Sequence, residues 1–233
     1  MDKLTRMLPI RACGAAVAVL LLGGARPSPL EAQLAKDFPG WTVDEKAQGD
    51  LNGDSVKDWA VTLKRPSEGG AGRLEPMLAI YLGTKGGGLE LHTRAPRAVC
   101  IGCGGVKSSP DGVIGVPTIT PRGVLELAYE GGSREAWSDT HKWRYDAGKD
   151  AFELIGRTYV VRDTLSEDGH MEPGEMESED INFSTGKMVR TLSGKGAFTC
   201  KVKPGVASAK LAEFDYEHFT DIEQLFVDGS CKK

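Results

Sequence analysis

The feature that most restricts this chain is a repeated pattern of short segments in which every second residue is apolar, each closed within a few positions by a glycine-containing turn. VLELAYE (124–130) alternates cleanly, and a period of two lines one face of an extended strand with apolar side chains. WAVTL (59–63) places Trp59, Val61 and Leu63 on such a face. MLAIYL (77–82) and LELHT (89–93) flank the turn GTKGGG (83–88), the signature of a hairpin. HKWRYD (141–146) and AFELIGRTYVV (151–161) flank AGK in the same way, and AFTCKV (197–202) is a late strand. The 233 residues include 30 glycines, enough to supply many tight turns. The fold expected is mostly β: one domain over 26–233, built as a meander of antiparallel hairpins.

Two segments carry a helical period instead. Leu30, Leu34 and Phe38 stand at i, i+4 and i+8 before Pro39-Gly40, which predicts a short N-terminal helix. Phe219, Ile222 and Phe226, with Leu211 and Phe214 behind them, predict a C-terminal amphipathic helix within a tail over 208–227. Between them, 163–180 (DTLSEDGHMEPGEMESED) is strongly acidic and nearly free of apolar residues. It reads as a solvated loop.

The first 25 residues have the layout of an export signal. Lys3, Arg6 and Arg11 precede the apolar run CGAAVAVLLLGGA, which is short for a bilayer span and ends at small residues suited to cleavage. Cleavage is expected after Ala25, with LEA (30–32) as a second position. No Leu-x-x-Cys box precedes Cys13, so a lipoprotein is not expected. The expected location is periplasmic or secreted, with no stable membrane span after cleavage. The net charge of −4 becomes more negative when the basic signal leaves, which argues against nucleic-acid binding. Four cysteines then remain: Cys100, Cys103, Cys200 and Cys231. An even number in an exported chain reads as two disulfides. Of the three pairings, proximity favours Cys100–Cys103 and Cys200–Cys231.

GDLNGDSVKDWAVTL (49–63) carries the densest chemistry. Counting Asp50 as position one, Asn52 is three, Asp54 five and Asp58 nine, and the Val56 carbonyl can fill position seven. Hard cations take six to eight oxygens of these kinds, and three carboxylates this close repel one another without a cation. An EF-hand needs a bidentate Glu at position twelve; that position holds Val61, within a strand. The loop resembles the calcium loops of FG-GAP and VCBS-type (integrin-alpha-type) repeats, in which Asp-x-Asn/Asp-Gly-Asp-Gly-x-x-Asp precedes a strand. Asp50, Asn52, Gly53, Asp54 and Asp58 match that pattern, and Ser55 replaces its second glycine. The resemblance implies one calcium ion. With a single copy, a complete multi-blade propeller is not expected. GG (104–105), LELAYEGGSREAW (125–137), WRYD (143–146) and FELIGRTY (152–159) resemble small exported bacterial proteins carrying one such loop, which implies a fold and a compartment but no activity. The alternative for the loop is an Asx turn, in which Asp and Asn side chains cap backbone amides.

Other residues raise further possibilities. CIGC (100–103) fits a Cys-x-x-Cys redox pair, but GGVKSSPDG after it is a poor helix start; a four-cysteine zinc site is a third option. Ser133, Ser138, Asp139 and His141 lie close in sequence, without the Gly-x-Ser-x-Gly elbow of a hydrolase. Glu130 and Glu135 form a candidate carboxylate pair. His92, His141, His170 and His218 have no metal spacing. Trp137, Trp143 and Tyr145 are core residues or, if one face is open, a carbohydrate or peptide platform. The function expected is a non-catalytic, calcium-stabilised binding or structural domain with a protein or glycan partner in the cell envelope. The alternative is an envelope hydrolase or thiol oxidoreductase.

Overall fold

The computed structural model describes residues 27–67, 73–105, 112–133, 135–163, 176–192, 194–203, 209–219, 226–227 and 229–233. The expected signal peptide, His170 and most of the acidic segment lie outside these residues. The order is helix α1 (Pro29–Asp37), then strands β1 (Thr42–Gly49), β2 (Asp58–Pro66), β3 (Leu74–Gly83), β4 (Leu89–Ala95), β5 (Cys100–Ile101), β6 (Val113–Ile114), β7 (Val116–Ile119), β8 (Val124–Gly132), β9 (Glu135–Asp146), β10 (Ala151–Asp163), β11 (Met176–Asn182), β12 (Lys187–Leu192) and β13 (Gly196–Lys201). A 3-10 turn (Leu211–Glu213) and a one-turn helix α2 (Tyr216–Phe219) follow.

Every strand pairs antiparallel with a sequence neighbour. β1 to β4 make a four-stranded meander, β7 to β13 a seven-stranded one, and β5 with β6 a small ribbon. The mostly-β expectation holds, and neither sheet closes into a barrel or propeller. Both predicted hairpins form, β3–β4 and β9–β10.

Two apolar clusters arrange the layers. The larger joins Leu78 and Ile80 of the first sheet to Leu125, Leu127, Trp143, Phe152 and Leu154 of the second. The smaller packs Leu30, Leu34 and Phe38 on Val61, Leu63, Ala79 and Tyr81. The helix therefore covers the outer face of the four-stranded sheet. That is why β2 is buried almost throughout, where a one-sided sheet would alternate. Ser28 starts α1 with a capping box: its hydroxyl accepts from the Glu31 amide, and Glu31 accepts from the Ser28 amide. Proline follows at the first helical position, where its missing N–H costs nothing.

Two readings are corrected. The strand β1 was not read from sequence; its burial pattern is mostly exposed, so it lacks the apolar alternation that marks a strand. The acidic segment is not loop throughout: 176–180 enter β11, and Glu179 is buried there. Within the C-terminal tail the described residues hold the 3-10 turn and the helix α2, which is where the sequence predicts a C-terminal helix; Ile222 lies outside the described residues. Phe214, between the 3-10 turn and α2, is extended (φ −68°, ψ 135°), and its ring packs 4.8 Å from Trp143 and 5.1 Å from His141.

Cys100 pairs with Cys103 and Cys200 with Cys231, the pairing that proximity favours. The second bridge ties the last residues to β13, where Thr199 and Lys232 exchange backbone hydrogen bonds. No helix among the described residues is long and apolar enough to cross a membrane. Two disulfides are compatible with a location outside the cytoplasm. Replacing Cys200 and Cys231 by serine frees a 31-residue closure, and loop entropy predicts a loss of about 4 kcal/mol. Denaturant unfolding of the double variant should show this as a lower midpoint.

Candidate functional site

The loop between β1 and β2 is organised by its own side chains. Asp50 Oδ1 accepts from the Gly53 amide (2.7 Å) and Oδ2 from the Ser55 amide (2.9 Å). Asn52 Oδ1 accepts from the Asp54 amide (3.1 Å), and Asp54 Oδ1 from the Val56 amide (2.8 Å). These are successive Asx turns. Gly53 and Ser55 both have positive φ, 79° and 68°. Glycine takes this conformation most readily, because no Cβ opposes it; Gly53 does so, whereas at position 55 a serine adopts it.

Asp58 plays a different part from the three residues above it. It is fully buried, and it accepts from the Leu51 amide (2.6 Å) and the Gly83 amide (2.8 Å). It joins the start of the loop to the end of β3. Desolvation raises its pKa against the pull of these amides and that of Asn52, and the Asp54 charge raises it further. Gly83 is required beneath it, because a Cβ there would overlap the Lys57 carbonyl and the Val56 side chain. Among the described residues, no three His, Cys, Asp or Glu side chains are grouped to hold a metal ion.

The Ser133–His141 stretch is divided by the strand that carries it. Within β9, Asp139 and His141 point into the core, and Ser138 lies on the opposite face by alternation. Ser133 sits in the turn before β9. The geometry assembles no nucleophile with His141. Glu130 and Glu135 are both exposed, on opposite arms of the β8–β9 hairpin. Cys100 opens the two-residue strand β5, and a turn at 102–104 carries the chain to Cys103 and the disulfide. With Cys100, Cys103, Cys200 and Cys231 joined in two disulfides, these four do not form a zinc site. Trp143 is fully buried, Tyr145 donates to Asp150 (2.6 Å), and Trp137 is half-buried. They make no common platform.

Sequence reading missed a polar cluster on the inner face of the large sheet. Asp139 receives two hydrogen bonds from Arg157, Nε to Oδ1 (2.7 Å) and Nη2 to Oδ2 (2.5 Å). Each residue is 1% exposed. Next in register, Glu179 faces Tyr159, and Arg190 Nε lies 3.2 Å from Glu179 Oε1. His141 is 3.4 Å from Asp139 and has no hydrogen bond at either ring nitrogen. It is enclosed by Tyr129, Phe214, Tyr216 and Phe219. A bulge on β10 creates this face: between Leu154 and Gly156 the register slips by one. Arg157 and Tyr159 then point inward, opposite His141 and Asp139. The only sequence signal was Gly156. A Cβ at that position would press on the Ile181 carbonyl (3.0 Å).

His141 gives the cluster a pH signature. Burial pushes its pKa down from 6.5 to about 4; Asp139 opposes the shift and Arg157 adds to it. The unfolded chain therefore binds the extra proton first. The His141 contribution is intact above about pH 6.5 and is lost as pH falls toward 4, for a total of about 3 kcal/mol. His141→Phe should flatten this part of the stability–pH curve in chemical denaturation between those limits. Asp58→Ala leaves two buried amides without an acceptor and should cost about 2–5 kcal/mol, read as a lower unfolding midpoint.

No protein-family model matches this chain, and comparison with curated proteins returns no match.

Proposed function

We propose that this chain is an exported, non-catalytic binding domain of the cell envelope whose loop 50–58 takes a calcium ion. The supporting observation is the run of alternate oxygen-bearing side chains, Asp50, Asn52 and Asp54, drawn onto the amides of one tight loop. A carboxylate oxygen that accepts an amide hydrogen bond keeps a second lone pair. The same side chains can thus shape the loop and hold a hard cation. Asp50, Asn52, Asp54 and the Val56 carbonyl would hold the ion, with Asp58 beneath them. Calcium suits this donor set better than magnesium, which demands a small, rigid octahedron. Its contribution is stabilising: it offsets repulsion among the carboxylates and secures the entry to β2.

The separation of Ser138 from His141 on opposite faces of β9 supports a binding role over hydrolysis. Calcium should stabilise the exported protein with the logarithm of its concentration above Kd, by about 2.7 kcal/mol at a hundredfold excess, read as a rising melting temperature. Magnesium at the same concentration should give a smaller shift. Asp54→Ala should abolish the calcium shift and leave stability in chelator near that of the parent. Equal melting temperatures with calcium and chelator would remove the ion from the reading.

A further inference from the structure

Beside the Asp139–Arg157 pair the structure holds an open cavity of about 430 Å³, within the range of small-ligand sites. Asp139 and Arg157 form its floor, Trp137, Tyr159 and Tyr216 its walls, and Glu217 lies at the rim. The walls are held firmly. Tyr216 stacks on Tyr129 with ring centroids 3.9 Å apart, and its amide donates to the Arg97 carbonyl (2.8 Å). Trp137 rests on Gly131, where a Cβ would overlap its ring.

This floor is a poor choice for stability alone. Desolvating two charges costs several kcal/mol per ion, and an apolar pair of similar volume commonly packs as well or better. The pair also leaves Arg157 Nη1 buried without a hydrogen-bond partner, a deficit that native interiors rarely tolerate. A site that keeps an ion pair, a spare guanidinium N–H and three aromatic rings around a cavity has the chemistry of ligand recognition.

We infer that this cavity binds a neutral saccharide of one or two rings. The charges of Asp139 and Arg157 cancel, so the floor favours neither ion. An anion would meet Asp139 and, at the rim, Glu217. A cation would lie beside the Arg157 guanidinium, which already sits 5.4 Å from the centre of the Tyr159 ring. A sugar hydroxyl donates and accepts together, so it can give to Asp139 and receive from Arg157 in one contact. The C–H face of a pyranose is apolar and covers the aromatic walls. This inference rests on the binding role proposed above and is independent of the calcium loop.

Saturation-transfer NMR on the full exported protein tests it, with glucose, N-acetylglucosamine, maltose and cellobiose as probes and choline and acetate as charged controls. Saturation should reach the ring protons of at least one sugar, and the Trp137 indole N–H should shift with it. Trp137→Ala should weaken that binding at least about tenfold with unchanged circular dichroism; Asp139→Asn should do the same if it folds. The sugar series is repeated in chelator. Sugar binding there supports the site even if calcium does not bind. No transfer to any of the four sugars overturns the inference. So does binding of choline or acetate alone, or sugar binding that Trp137→Ala leaves unchanged.

Discussion

The two antiparallel meanders bury their inner faces against each other, and the rest of the molecule depends on that contact. An antiparallel sheet has two faces and needs an apolar partner for one of them. The four-stranded sheet finds partners for both: the larger sheet on one side and α1 on the other. Its central strands β2 and β3 are consequently buried on both faces at Ala60–Leu63 and Leu78–Tyr81, and its ends must be closed by groups that tolerate burial. Asp58 does this at the loop end. Its two oxygens satisfy the Leu51 and Gly83 amides, which would otherwise lack an acceptor in a dry environment.

The seven-stranded sheet solves the same problem unevenly. Along β8, β9 and β10 one half of the inner face carries Leu125, Leu127, Trp143, Phe152 and Leu154. The other half carries Tyr129, Asp139, Arg157 and Tyr159, with Glu179 from β11. The bulge at Leu154/Gly156 sits between the two halves of β10. It turns a strand that would have presented Thr158 to the interior into one that presents Arg157. Apolar packing therefore holds one end of the sheet, and hydrogen bonds between charged groups hold the other. The turns at 211–219 lie across the junction, where Phe214 contacts both Trp143 and His141.

These two regions differ in what a bound group would do. A cation in loop 50–58 would act on the local chain, since the loop already closes through its own amides. A ligand in the cavity beside Arg157 would meet groups held by β9, β10 and α2, with little freedom to rearrange. The first is a contribution to stability, and the second is a means of recognition.

Much of the β framework was legible because period-two alternation and glycine turns are local signals. β2, β3, β4, β8, β9, β10 and β13 all carry them, and both hairpins followed from their turn residues. The same locality explains the loop: Asp50, Asn52, Asp54 and Asp58 are neighbours in sequence, so their spacing announced a curled, oxygen-lined turn. Proximity likewise indicated the cysteine pairs. What depended on distant partners was invisible. β1 has no apolar alternation and exists because β2 pairs with it. β11 is acidic and becomes a strand because Arg157 and Arg190 balance Glu179 in the interior. The sequence by itself determined an antiparallel β chain with a polar loop before its second strand, because those properties reside in adjacent residues. Only the tertiary structure decided that Asp139, Arg157, Tyr159 and Tyr216 share one cavity, because a one-residue bulge and the packing of a remote segment brought them together.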